Sequence, residues 1–180
     1  MDCPWLDETP DLFLEGSFNG WQKGQKMEPL EEESDELVFA VFLGDTRVEQ
    51  FRFTVNDYSD AVIFPADKST GSQESPVLGP GTAPPGHFWV IDGISDGMPQ
   101  GTVYKISFRW DKSTRQKRVS WQPTTDEAML TRAAESRFYG FKHTYSIAGS
   151  WNRFVPSTMK VLNGALVSFV ATVTIGLTGR

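Results

Sequence analysis

Few side chains in this sequence are placed for bond-making chemistry. His87 and His143 have no acidic neighbour in sequence, and the chain has no Gly-x-Ser-x-Gly, no phosphate-cradling glycine loop and no His-x-x-x-His. Cys3 is the single cysteine, which excludes an internal disulfide and a cysteine-based zinc site. The acid run EEESDE at 31–36 reads as a solvated loop or as a metal site, and its spacing does not match a calcium loop. What stands out is aromatic. Trp21 follows Asn19-Gly20, a strong tight-turn signal. A Trp there either folds back onto a core or stands out as a flat platform. An exposed ring beside polar donors is what the apolar C–H face of a sugar needs. Arg52, outward on an alternating strand, is either such a donor or an ordinary surface charge.

The elements that would position these residues read as strands nearly throughout. Residues 49–55 (EQFRFTV) turn Phe51, Phe53 and Val55 one way and Arg52 and Thr54 the other. Further strands are predicted over 11–15, 37–43, 61–64, 87–92, 103–110 and 117–122, the last two as a hairpin around a polar turn. About seven short strands with turn signals between them predict an all-β, immunoglobulin-like sandwich. The 11 Pro and 16 Gly, with 39% apolar and 13% aromatic residues, agree with short strands in a folded chain. A long Gly/Pro/Ser/Thr stretch over 66–86 is predicted to be a loop. One helix signal occurs: Thr124 with Glu127 three residues later forms a capping box ahead of Ala and Leu. It is placed in a helical linker over 123–139. The net charge of −6 argues against nucleic acid or an anionic membrane as partner.

The chain repeats itself. LFLEGSFNGWQKGQKM from Leu12 aligns with YSIAGSWNRFVPSTM from Tyr145, matching Gly16 to Gly149, Phe18 to Trp151, Asn19 to Asn152 and Trp21 to Phe154. With one residue deleted, Met27 falls on Met159, and LVFAVFLG at 37–44 falls on FVATVTIG at 169–176. A fixed offset of roughly 130 residues marks an internal repeat. The expected organisation is a sandwich over 11–122, the linker, and the truncated start of a second unit over 140–180. The apolar stretch 161–179 is near the lower length for a membrane span, but its second half alternates as a strand does. The N-terminal MDCPWLDETP lacks the features of a signal peptide.

The series LFLEGSFNGWQ, LVFAVFLG and EQFRFTVND resembles the glycogen-binding module of AMP-activated kinase β subunits and related starch-associated modules. The resemblance covers about 12–57 and again 145–176. It implies an immunoglobulin-like fold without catalytic activity or cofactor, and an α-glucan as partner. It assigns Trp21 to sugar stacking and Arg52 to the place of a sugar-contacting Lys. Tyr58 is the nearest counterpart of the family's second aromatic platform, Asn19 belongs to the motif, and Phe154 takes the place of Trp21 in the second unit. The expected protein carries tandem carbohydrate-binding copies in an intracellular, cytoplasmic or plastid-associated setting. The alternative is a structural or protein-interaction sandwich with Trp21 packed inward.

Overall fold

The computed structural model describes residues 10–22, 24–32, 34–111, 113–136 and 146–158. The chain divides into two compact units, Met1–Phe141 and Lys142–Arg180, each described by itself.

The first unit is a sandwich of two antiparallel sheets. In one sheet β1 (Leu12–Gly16) lies beside β5 (Val48–Val55), with Leu12 opposite Val55, Glu15 opposite Arg52 and Gly16 opposite Phe51. The two-residue β2 (Gln25–Lys26) extends it beyond β1. The other side of β5 is shared: β6 (Val62–Pro65) pairs with its C-terminal half and β8 (Trp89–Asp92) with its N-terminal half. The second sheet has the order β10, β9, β4, β3, from Lys117–Pro123, Val103–Trp110, Glu36–Phe42 and Glu28–Pro29. Strict alternation supplies the core. Leu12, Leu14, Phe51, Phe53, Val55, Trp89 and Ile91 face Phe39, Val41, Tyr104, Ile106 and Phe108 across the layer, all buried. Phe51 stacks on Trp89 at a centroid distance of 5.6 Å, and Phe53 meets Phe108 at 5.1 Å.

Two predicted features differ. The stretch 66–86 is not wholly loop: it holds β7 (Val77–Gly81), which pairs Val77 with Pro65 and Leu78 with Phe64. The one α-helix among the described residues, α1 (Glu127–Glu135), is not a free linker. Met129 and Ala133 are fully buried against Val38, Ala40 and Val103, on the face of the second sheet away from the core. Arg132 also donates to the Pro29 carbonyl at 2.9 Å. The β4 alternation explains this docking, because Phe39 and Val41 are spent on one face while Val38 and Ala40 leave an apolar strip on the other. The cap differs by two residues. Asp126 is the N-cap, accepting from the Met129 N–H at 3.1 Å, and Thr124 accepts instead from the Asp126 N–H. Among the described residues no helix is long and apolar enough to cross a membrane.

In the second unit β11 (Ser146–Ile147) pairs antiparallel with β12 (Ser157–Thr158). Cys3, His143, Met159 and the stretch 161–179 lie outside the described residues.

Candidate functional site

The site begins at the end of β1, where a 3-10 turn (Ser17–Asn19) leads to Trp21. A Cβ on Gly16 would lie 2.1 Å from the Gln50 carbonyl oxygen and 2.6 Å from the Phe18 ring, so only glycine allows both approaches. Phe18 turns inward beside Phe39. The Ser17 hydroxyl donates to the Glu49 carboxylate and accepts from the Gln50 N–H at 2.8 Å. Glu49 is itself buried and accepts from the Gly44 N–H at 2.9 Å. These bonds tie the turn to β5. Asn19 is buried; its Oδ1 accepts from the Gly16 N–H at 3.2 Å and its Nδ2 donates to the Gln22 carbonyl. Both ends of its amide are therefore used inside the turn, and its role is to brace it. Gly20 and Trp21 both adopt left-handed backbone, with φ of 67° and 58°. The Trp21 N–H donates to the Gly16 carbonyl at 2.8 Å, which closes the turn and leaves the indole 39% exposed.

Arg52 meets that indole. It stands on the outer face of β5 opposite Glu15, and its Nε donates to the Glu15 carboxylate. The guanidinium carbon lies over the Trp21 ring, 5.5 Å from its centroid. The ion pair is partly solvated and contributes roughly 0–1 kcal/mol, and the cation–π contact a similar amount. Nη1 and Nη2 have no partner among the described residues. Phe88 completes the group, its ring centroid 5.8 Å from that of Trp21 and its plane inclined by 54°. No family model matches the chain, and no curated protein matches it.

Trp21, Arg52 and the Asn19 turn are thus brought together, and Tyr58 is not. Tyr58 follows the far end of β5, where Val55 pairs with Leu12. Val55 lies three residue steps along β5 from Arg52, about 10 Å of chain. Its ring is 52% exposed.

In the second unit the same turn recurs over Ser150–Asn152. Asn152 Oδ1 accepts from the Gly149 N–H at 2.8 Å, the Phe154 N–H donates to the Gly149 carbonyl at 2.9 Å, and Phe154 has φ of 58°. Arg153 holds the left-handed place of Gly20. Phe154 is 71% exposed, and Trp151 is 53% exposed where Phe18 is buried.

Glu15, Glu49 and Phe88 are the residues that pattern reasoning passed over. Glu15 is assigned only by the β1–β5 register. No group of three or more His, Cys, Asp or Glu side chains placed to hold a metal occurs among the described residues. His87 places Nδ1 3.1 Å from the Pro65 carbonyl and its ring edge-on to Phe64, a structural contact. The perturbed titrations lie elsewhere. Burial and the Asp96 carboxylate push the Tyr104 phenol up, burial pushes the Lys117 ammonium down, and a turn of donors around Asp111 lowers its carboxyl to about 2.

Proposed function

We propose that the first unit is a non-catalytic α-glucan-binding module with an immunoglobulin-like sandwich, similar to glycogen- and starch-binding modules, and that the second motif belongs to another copy of it in an intracellular protein. The observation that carries this reading is the conformation of Trp21. A bulky side chain at φ of 58° is a backbone outlier that Gly or Asn would fill with less strain. The indole is held there partly in solvent, against a guanidinium whose Nη1 and Nη2 have no partner among the described residues. A pyranose needs both an apolar plane and hydroxyl partners. The competing reading, a structural or protein-interaction sandwich without sugar binding, is favoured by the Trp21–Phe88 contact if that contact serves packing alone.

Trp21→Ala separates the two. With one exposed indole carrying the stacking, affinity for a malto-oligosaccharide is expected at about 0.1–1 mM, since 1 mM corresponds to about 4 kcal/mol. The variant should lose binding, read by NMR titration or by retardation in amylopectin gels, while its Tm stays close to that of the parent. A parent protein that binds no malto-oligosaccharide, or a variant destabilised by the roughly 3–5 kcal/mol of a buried aromatic, would favour the structural reading.

A further inference from the structure

We infer that Phe88 is a second sugar-facing ring of this site, and that the smallest ligand filling it is two α-linked sugar units rather than one. The inference rests on the glucan reading above. Phe88 lies 67 residues from Trp21 in sequence (88 − 21), yet the fold brings their rings to 5.8 Å. One row across the first sheet explains it: Gly16 pairs with Phe51, and Phe51 pairs with Trp89. β1 and β8 both run antiparallel to β5, so the residue entering Trp89 comes beside Arg52, which is paired with Glu15 on its other side, and the turn closed by the Trp21 N–H on the Gly16 carbonyl carries the indole back over Arg52. The Phe88 backbone is held, because its carbonyl accepts from the Thr70 N–H at 3.1 Å and the Val90 N–H donates to the Thr70 carbonyl at 2.8 Å. Trp89 itself is fully buried, and side-chain alternation sends Phe88 away from the core. Its ring is half-buried.

The 54° incline between the planes sets the ligand. One pyranose cannot lie flat on two rings so inclined. Two successive sugars of an α-1,4 chain can, because each unit is turned from the last in a constant sense. A β-1,4 chain alternates by half-turns into a flat ribbon, which suits coplanar rings. Arg52, fixed through Nε by Glu15, keeps Nη1 and Nη2 beside Trp21 for the hydroxyls of one of the two units.

The test uses the whole chain, with glucose, maltose, maltotriose and their cello-counterparts titrated by NMR. The parent should bind maltose about tenfold more tightly than glucose, a ratio equal to about 1.4 kcal/mol, and should bind the cello-series more weakly than the malto-series. Phe88→Leu, which keeps apolar bulk and removes the ring, should erase the gain from glucose to maltose, and Phe88→Tyr should keep it. Thermal melts of both variants report whether the fold is intact. A Phe88→Leu protein that retains the gain, or a parent that binds both series equally, overturns the inference. If Trp21→Ala has lost binding while Phe88→Leu has not, the inference falls and the glucan reading stands. A parent that binds no malto-oligosaccharide overturns both.

Discussion

Met129→Ala tests whether α1 belongs to the sandwich. Met129 is fully buried, packed with Ala133 against Val38, Ala40 and Val103. Burying such a side chain contributes about 1.5–3 kcal/mol. Truncation in a packed interior costs about 2–5 kcal/mol once the remaining cavity is included. A nine-residue helix lying on the outside of a sheet can settle toward the gap, so the lower end, about 2–3 kcal/mol, is expected. Urea unfolding followed by tryptophan fluorescence reads this directly. With a slope of about 1–3 kcal/mol/M, the midpoint should fall by roughly 1 M or more. A domain of ordinary stability, about 5–15 kcal/mol, remains folded through such a loss. Leu130→Ala, at the next position and substantially exposed, is the control and should stay within about 0.5 kcal/mol. If Met129→Ala also stays within that range, the helix is undocked, and the linker expected from sequence is the better description.

Two further outcomes follow from local geometry. Gly16→Ala must displace both the Gln50 carbonyl and the Phe18 ring, and should cost about 1–3 kcal/mol in the same urea assay; an unchanged midpoint would mean that the turn does not bear on β5 as described. Gly16 itself is extended at φ of −179°, so the loss is steric rather than conformational. Asp111 accepts from the Ser113 hydroxyl and from the Ser113 and Thr114 N–H groups, which hold its carboxyl near 2 against an ordinary 3.8. A depressed carboxyl stabilises the fold above the unfolded value and loses that contribution as pH falls from about 4 toward 2. Asp111→Ala should therefore flatten that part of the stability–pH curve, measured by urea midpoints between pH 2 and 5; a curve parallel to the parent's would refute the assignment.

The strands were legible wherever alternation was long enough to declare itself. Phe51, Phe53 and Val55, or Tyr104, Ile106 and Phe108, each occupy one face of an eight-residue strand, and both strands lie within a residue of their predicted bounds. β7 was not legible because VLGPG offers no alternation, and its Gly and Pro read as loop. Docking of α1 was hidden for a different reason. Val38 and Ala40 look like the ordinary second face of a half-buried strand until a partner is seen. At the site, Trp21 and Arg52 were marked out by a turn signal and an alternation, although the turn signal by itself left Trp21 either packed inward or exposed. Glu15 and Phe88 depend on cross-strand register, and Asn19, polar and adjacent to the ring, gave no sign that its amide is consumed by its own turn.

The two aromatic-bearing hairpins differ in length in an instructive place. Phe13 faces Lys26 and Leu14 faces Gln25 in the first; Ser146 faces Thr158 and Ile147 faces Ser157 in the second. The innermost partners are thus 11 residues apart in one (25 − 14) and 10 in the other (157 − 147). The turn from glycine to aromatic keeps its bonds in both, so the missing residue comes out of the few that follow the ring. A one-residue change within a paired strand would invert every side chain beyond it. Here it is absorbed before pairing resumes, so the segment behind the ring works as a splice point, where sequence can be added or removed without moving the aromatic or turning the return strand over.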